Sequence, residues 1–119
     1  LAVLLAVLER RAQLRFSDQD VFVNVTGGLR LIEPATDMAV VAALTSSLLD
    51  KPVSGKTVFL GEVGLGGEIR PVSSTERRLA EAKRLGFERA FVSASSTMKS
   101  EISTVAIAHV SDLAHQFAA

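Results

Sequence analysis

The chain has 119 residues, 48% of them hydrophobic, with 13 Lys and Arg balanced by 13 Asp and Glu, and without Cys, Trp or Tyr. That length suits one domain around one core of Leu, Val, Ile, Ala and Phe. Zero net charge removes any global pull towards nucleic acid or membranes, and the lack of cysteine excludes disulfides, thiolate–zinc sites and a thiol nucleophile.

Residues 1–13 read as a first helix, with Leu1, Leu4, Leu5 and Leu8 along one side and Arg10 and Arg11 at its end, where cations complement the helix dipole. The apolar opening, residues 1–8, is too short to span a bilayer and runs straight into Glu9, so no membrane segment is expected. A start without Met reads as a domain cut from a longer, cytoplasmic protein. Residues 17–20 suit a turn. Val21, Val23 and Val25 then alternate as in a strand, and Thr26-Gly27-Gly28 turns the chain into a second strand over 29–32. Pro34 and Asp37 suit the first turn of a second helix. From 38 to 49 that helix is apolar on nearly all sides, which predicts a central, buried position; Asp50 and Pro52 end it.

The chain is organised around residues 57–92. Residues 57–61 and 68–72 have the β-branched and apolar content of strands, with Gly64-Leu65-Gly66-Gly67 as the tight turn of a hairpin between them. Ser73-Ser74-Thr75-Glu76 fits a capping box in which Ser73 and Glu76 satisfy each other's amides. Leu79, Ala82 and Gly86 share one stripe of the helix that follows, and Gly86 suits the left-handed residue after its end. Residues 89–92 leave as a strand. A Ser-rich loop over 93–100 precedes a strand over 105–110, and a last helix from Ser111 packs Leu113 and Phe117 inward. The elements predict an α+β fold, a mixed sheet packed by helices, with 57–92 and the strand after it closing one right-handed parallel unit.

The glycine turn lies between two strands, with neither dinucleotide nor phosphate-loop spacing, and reads as a hairpin. His109 and His115 have no partner at metal-ligand spacing and read as structural. Glu33, Asp37, Glu62 and Glu68 supply carboxylates, but acids at a helix start and on strands ordinarily cap or face solvent. Arg77 and Arg84 share the helix face opposite Leu79 and Ala82, with Lys83 and Arg89 near in sequence. They suit either a solvated face, with Arg77 supporting Glu81, or phosphate contacts. Arg78 borders the apolar stripe, where a carboxylate such as Asp37 or Glu33 is a suitable partner.

Pro34-Ala35-Thr36-Asp37 before the buried helix, Phe59-Leu60-Gly61-Glu62-Val63, Gly67-Glu68-Ile69-Arg70-Pro71-Val72 and the helix start up to Leu79 resemble the proteolytic domain of Lon protease. Lon uses a serine nucleophile with a lysine base. In this chain the serine position is Ala35 and the lysine position is Arg78, whose guanidinium stays protonated. The resemblance therefore implies a non-proteolytic domain with no catalytic residues.

A closer resemblance covers nearly the whole chain, 1–119 as one Lon-like domain at the C-terminal end of a longer protein. Asp18-Gln19-Asp20-Val21-Phe22-Val23-Asn24-Val25, Gly27-Gly28-Leu29-Arg30-Leu31, Glu33-Pro34-Ala35-Thr36-Asp37, Gly61-Glu62-Val63-Gly64-Leu65 and Glu76-Arg77-Arg78-Leu79 are similar to the C-terminal domain of the bacterial RadA (Sms) DNA-repair family. It implies the fold of Lon proteolytic domains and ribosomal protein S5 domain 2. It also implies a hexameric ring that promotes branch migration on DNA, single- or double-stranded, with a recombinase as a further partner. The zinc finger and the DNA-dependent ATPase, with their Zn, ATP and Mg, stand upstream, so no cofactor is expected in these residues. Charge and helical position nominate Arg10, Arg11, Arg77, Lys83, Arg84 and Arg89 for DNA contact. The alternatives are a purely structural assembly domain and a residual serine peptidase.

Overall fold

A computed structural model of the chain describes residues 2–14, 34–96 and 100–118. The hairpin expected over 20–32, the turn before it and Glu33 lie outside the described residues. In chain order the elements are α1 (Ala2–Arg11), a 3-10 turn (Pro34–Thr36), α2 (Asp37–Leu49), β1 (Thr57–Leu60), β2 (Glu62–Val63), β3 (Ile69–Arg70), α3 (Thr75–Arg84), β4 (Arg89–Ser93), β5 (Ser103–Ile107) and α4 (Val110–Ala118). This is the expected mixture of helices and strands.

The three longer strands form one parallel sheet in the order β1-β4-β5. Thr57 stands opposite Arg89, and Arg89 opposite Ser103. Side chains alternate across such a pleat, so β1 and β4 feed two cores, while β5 feeds only the one reached by Val105 and Ile107. Val58, Leu60, Ala90 and Val92 meet Leu79 and Ala82 of α3 on one face. Phe59, Phe91, Val105 and Ile107 meet α1, α2 and α4 on the other, through Val7, Leu8, Met38, Val41, Leu113 and Phe117. Phe59 and Phe91, neighbours in register, pack edge to face with ring centroids 4.9 Å apart. The result is a helix–sheet–helix sandwich, with α3 alone on one side among the described elements.

Residues 57–61 do not form the hairpin. β1 belongs to the parallel sheet, and the antiparallel partner of β3 is the two-residue β2. Gly61 separates them because its backbone turns aside: its N–H donates to Ala35 O (3.3 Å) and its carbonyl accepts from Met38 N (3.0 Å). A Cβ at Gly61 would lie 2.6 Å from Met38 Cε and 2.8 Å from Ile69 Cγ2. The last strand also sits earlier than expected, at Ser103–Ile107, and α4 starts at Val110. Leu113 and Phe117 are buried as predicted.

The capping box at α3 is not formed. The helix is capped at Ser74, in the left-handed region (φ 57°), without a side-chain cap bond. Thr75 Oγ1 instead donates to Val72 O (2.8 Å), and Arg78 N and Nε donate to Ser74 O and Ser73 O, both at 3.0 Å. At the other end Gly86 has φ 98°, and Phe87 N donates to Ala82 O (3.0 Å), which closes the helix as the glycine suggested.

Helix α2 is central, as its all-round apolarity predicts. Thr45 on it is fully buried, and its Oγ1 has no hydrogen-bond partner among the described residues. Replacing it with the isosteric Val removes the desolvation penalty without opening a cavity. Thr45→Val is therefore expected to raise stability by about 1 kcal/mol, read as a higher denaturant midpoint with an unchanged slope.

Candidate functional site

The β2–β3 hairpin stands off the sheet and is anchored at its base and its tip. At the base, Ile69 N donates to Ala108 O (2.9 Å), while the buried Ser93 hydroxyl donates to Ile69 O (2.9 Å). On the β2 side, Asp37 Oδ2 accepts the Val63 amide (3.1 Å), so this carboxylate holds the hairpin to the start of α2. At the tip, Gly64 N bonds Glu68 O and Gly67 N bonds Gly64 O, both at 2.9 Å. Glu68 Oε1 accepts the Gly66 amide (3.1 Å), and its other oxygen lies 3.7 Å from Arg70. The loop amide is therefore satisfied by the chain's own carboxylate, and the glycine turn does not fit a phosphate loop.

His109 locks this tip to α4. Ser111 N–H donates to Nδ1 (3.1 Å), which must carry the lone pair, and Nε2–H then donates to Gly66 O (3.0 Å). The Ser111 hydroxyl lies 2.9 Å from the same Nδ1, and Val110 N donates to Gly67 O (2.9 Å). Gly67 has φ 85°, and a Cβ there would fall 2.6 Å from His109 Nε2 and 2.7 Å from Arg11 Cβ. The end of α1 thus lies against the hairpin tip. Sequence reading took His109 as structural but had no signal for its partners, which lie 43 residues back and two ahead. Leu65, at the apex, is 76% exposed.

The expected basic residues divide into two groups. Arg10 and Arg11 are exposed at the end of α1, in the helical layer that covers the Phe91 face. Arg77, Lys83 and Arg84 are exposed on α3, against the opposite face. Lys83 lies 3.8 Å from Glu101. Glu81 turns to Arg84, whose Nε donates to it at 2.9 Å, instead of to Arg77. That hydrogen bond holds the Glu81 carboxyl below its ordinary value and raises the guanidinium. Arg89 stacks on Phe91, with its guanidinium carbon 4.7 Å from the ring centroid.

Ala35 is buried, and its carbonyl accepts the Gly61 amide. Arg78 lies on α3 with Nε bound to Ser73 O. Among the described residues no group of three or more His, Asp or Glu is gathered that could hold a metal ion. No helix among them is long and apolar enough to cross a membrane.

The chain belongs to the family described as subunit ChlI of Mg-chelatase, whose model matches residues 3–96. It is similar to the DNA repair protein RadA of Salmonella typhimurium, 52% identical over 99 residues, which is 83% of this chain and 22% of that protein. It is 46% identical to RadA of Haemophilus influenzae over 113 residues (95% of this chain, 25% of that protein). With RadA of Bacillus subtilis the identity is 41% over 115 residues (93% and 25%). The chain spans about a quarter or less of the length of these curated relatives.

Because His109 ties the hairpin tip to the start of α4, His109→Ala is expected to loosen the tip more than the sheet. Loss of its hydrogen bonds, worth about 1 kcal/mol each, predicts faster amide exchange at Gly66 and Val110, while Phe91 and Val92 in β4 stay protected. Hydrogen exchange followed residue by residue reads this difference.

Proposed function

We propose that this chain is a non-proteolytic, Lon-like domain of a DNA-repair protein, serving as an assembly scaffold and a DNA-contacting layer. The observation that carries this reading is the 41–53% identity to proteins named DNA repair protein RadA. In the longer protein the domain sits beside an upstream ATPase, in a cytoplasmic hexameric ring that drives branch migration with a recombinase as partner. ATP, Mg and Zn belong to that upstream part.

The packing around the two resembled active-site positions supports a role without catalysis. Ala35 offers no nucleophile, and the Met38 side chain fills the space beside Gly61. Arg78, a permanent cation, supplies no base. A serine-directed covalent probe is expected to leave the chain unlabelled; stoichiometric labelling would restore the peptidase reading.

Of the six proposed DNA-facing residues, Arg10 and Arg11 form the primary contact. Both are exposed, and neither has an ion pair among the described residues, whereas Lys83 and Arg84 already face Glu101 and Glu81. Arg77, Lys83 and Arg84 form a second station across the sheet, suited to a neighbouring strand or subunit, while Arg89 stacks on Phe91 on the face that α1 covers. Fluorescence anisotropy of a labelled duplex tests this. Binding is expected at low salt and is expected to weaken steeply as salt rises. Reversing Arg10 and Arg11 to Glu should cost about tenfold or more, and more than reversing Arg77, Lys83 and Arg84 together. If no duplex binds at low salt while the fold is intact, the domain is a scaffold only.

A further inference from the structure

We propose that Leu65, at the tip of the β2–β3 hairpin, is an apolar wedge that enters the base stack of bound DNA while Arg10 and Arg11 hold the adjoining phosphates. This deepens the DNA-contact reading and rests on it. Leu65 is the most exposed large hydrophobic side chain among the described residues, at 76%. It stands between Gly64 and Gly66, so no other side chain widens the apex. A glycine-flanked leucine at a fraying loop would be unremarked, but this tip is held by five hydrogen bonds, through Gly64 N, Gly66 N, Gly67 N, His109 Nε2 and Val110 N. The molecule keeps an apolar group rigidly in water.

The surroundings favour DNA as the occupant over a protein pocket or a second copy of the chain. One leucine between glycines offers a small part of the roughly 800 Å² per partner that a standard protein interface buries. A base step needs only one such side chain, with cations beside it, to be partly unstacked and kinked. The cations are present: Arg11 packs its Cβ against Gly67, and Arg10 precedes it on the same exposed helix end. The nearest acid at the apex, Glu68, is half-exposed but already engaged, bound to the Gly66 amide and facing Arg70, which offsets its charge. Phosphate is therefore met by positive charge, and the leucine leads into the groove.

A duplex carrying 2-aminopurine, which brightens on leaving the stack, reads the wedge directly, with anisotropy of the same duplex reading affinity. Wild-type chain is expected to brighten the probe. Leu65→Ala should abolish most of that rise and weaken binding by about tenfold at most, because the cost of unstacking and the leucine's contact offset one another. Leu65→Met should retain the rise. Arg10→Gln with Arg11→Gln should lower affinity about tenfold at low salt and reduce the salt slope by about two. Binding without brightening, or brightening unchanged in Leu65→Ala, overturns the wedge and leaves DNA contact standing. An absence of binding overturns both. A change of oligomeric state in Leu65→Ala would assign the tip to a second copy of the chain and overturn the proposal.

Discussion

Two backbone hydrogen bonds hold the exposed end of this molecule in place: Ile69 N to Ala108 O and Val110 N to Gly67 O, both 2.9 Å. They join a hairpin whose strands are two residues each to Ala108, just after β5, and to Val110, the first residue of α4. A hairpin that small has too little pairing of its own to persist in water. Docked on this joint it gains Ser93, Asp37 and His109 as further partners, and its glycine tip comes against the end of α1. Elements far apart in sequence thereby share one surface.

The parallel sheet supplies the rigid base for that arrangement. Its two faces are covered differently: α1, α2 and α4 on one, α3 on the other. This separation decides where the basic residues lie. Arg10 and Arg11 share an end with the hairpin, whereas Arg77, Lys83 and Arg84 lie across the sheet. A balanced total charge is compatible with a local cationic end because several cations are matched by nearby acids. The exposed pairs Lys56–Glu88, Lys83–Glu101 and Arg84–Glu81 contribute little to stability but cancel charge where they sit.

Much of the fold could be read from sequence where one local rule acted alone. The all-round apolarity of 38–49 predicted a buried helix; Gly86 predicted a helix end; Leu113 and Phe117 predicted an inward stripe. Misreadings arose where two local rules competed. Residues 57–61 read as one strand of a hairpin, and only the backbone partners of Gly61, Ala35 and Met38, more than twenty residues earlier, split the run between two sheets. Ser73 had the right spacing for a capping box, but a left-handed Ser74 moved the cap by one residue. The candidate site was less legible. Arg10, Arg11 and the glycine turn were each visible, yet their adjacency depends on His109 and on α4, which periodicity cannot connect to residue 67. The division of the basic residues between two faces was equally hidden, because helical position gives a face of a helix and not the side of a sheet on which that helix lies.

That the hairpin tip and the end of α1 make up one DNA-contacting end is tested most directly by backbone NMR shifts during titration with a short duplex. The largest changes are predicted at Arg10, Arg11, Gly64, Leu65 and Gly66, with Arg77, Lys83 and Arg84 nearly still. Changes concentrated on α3, with a silent hairpin tip, would contradict this assignment and place the DNA on the opposite face of the sheet.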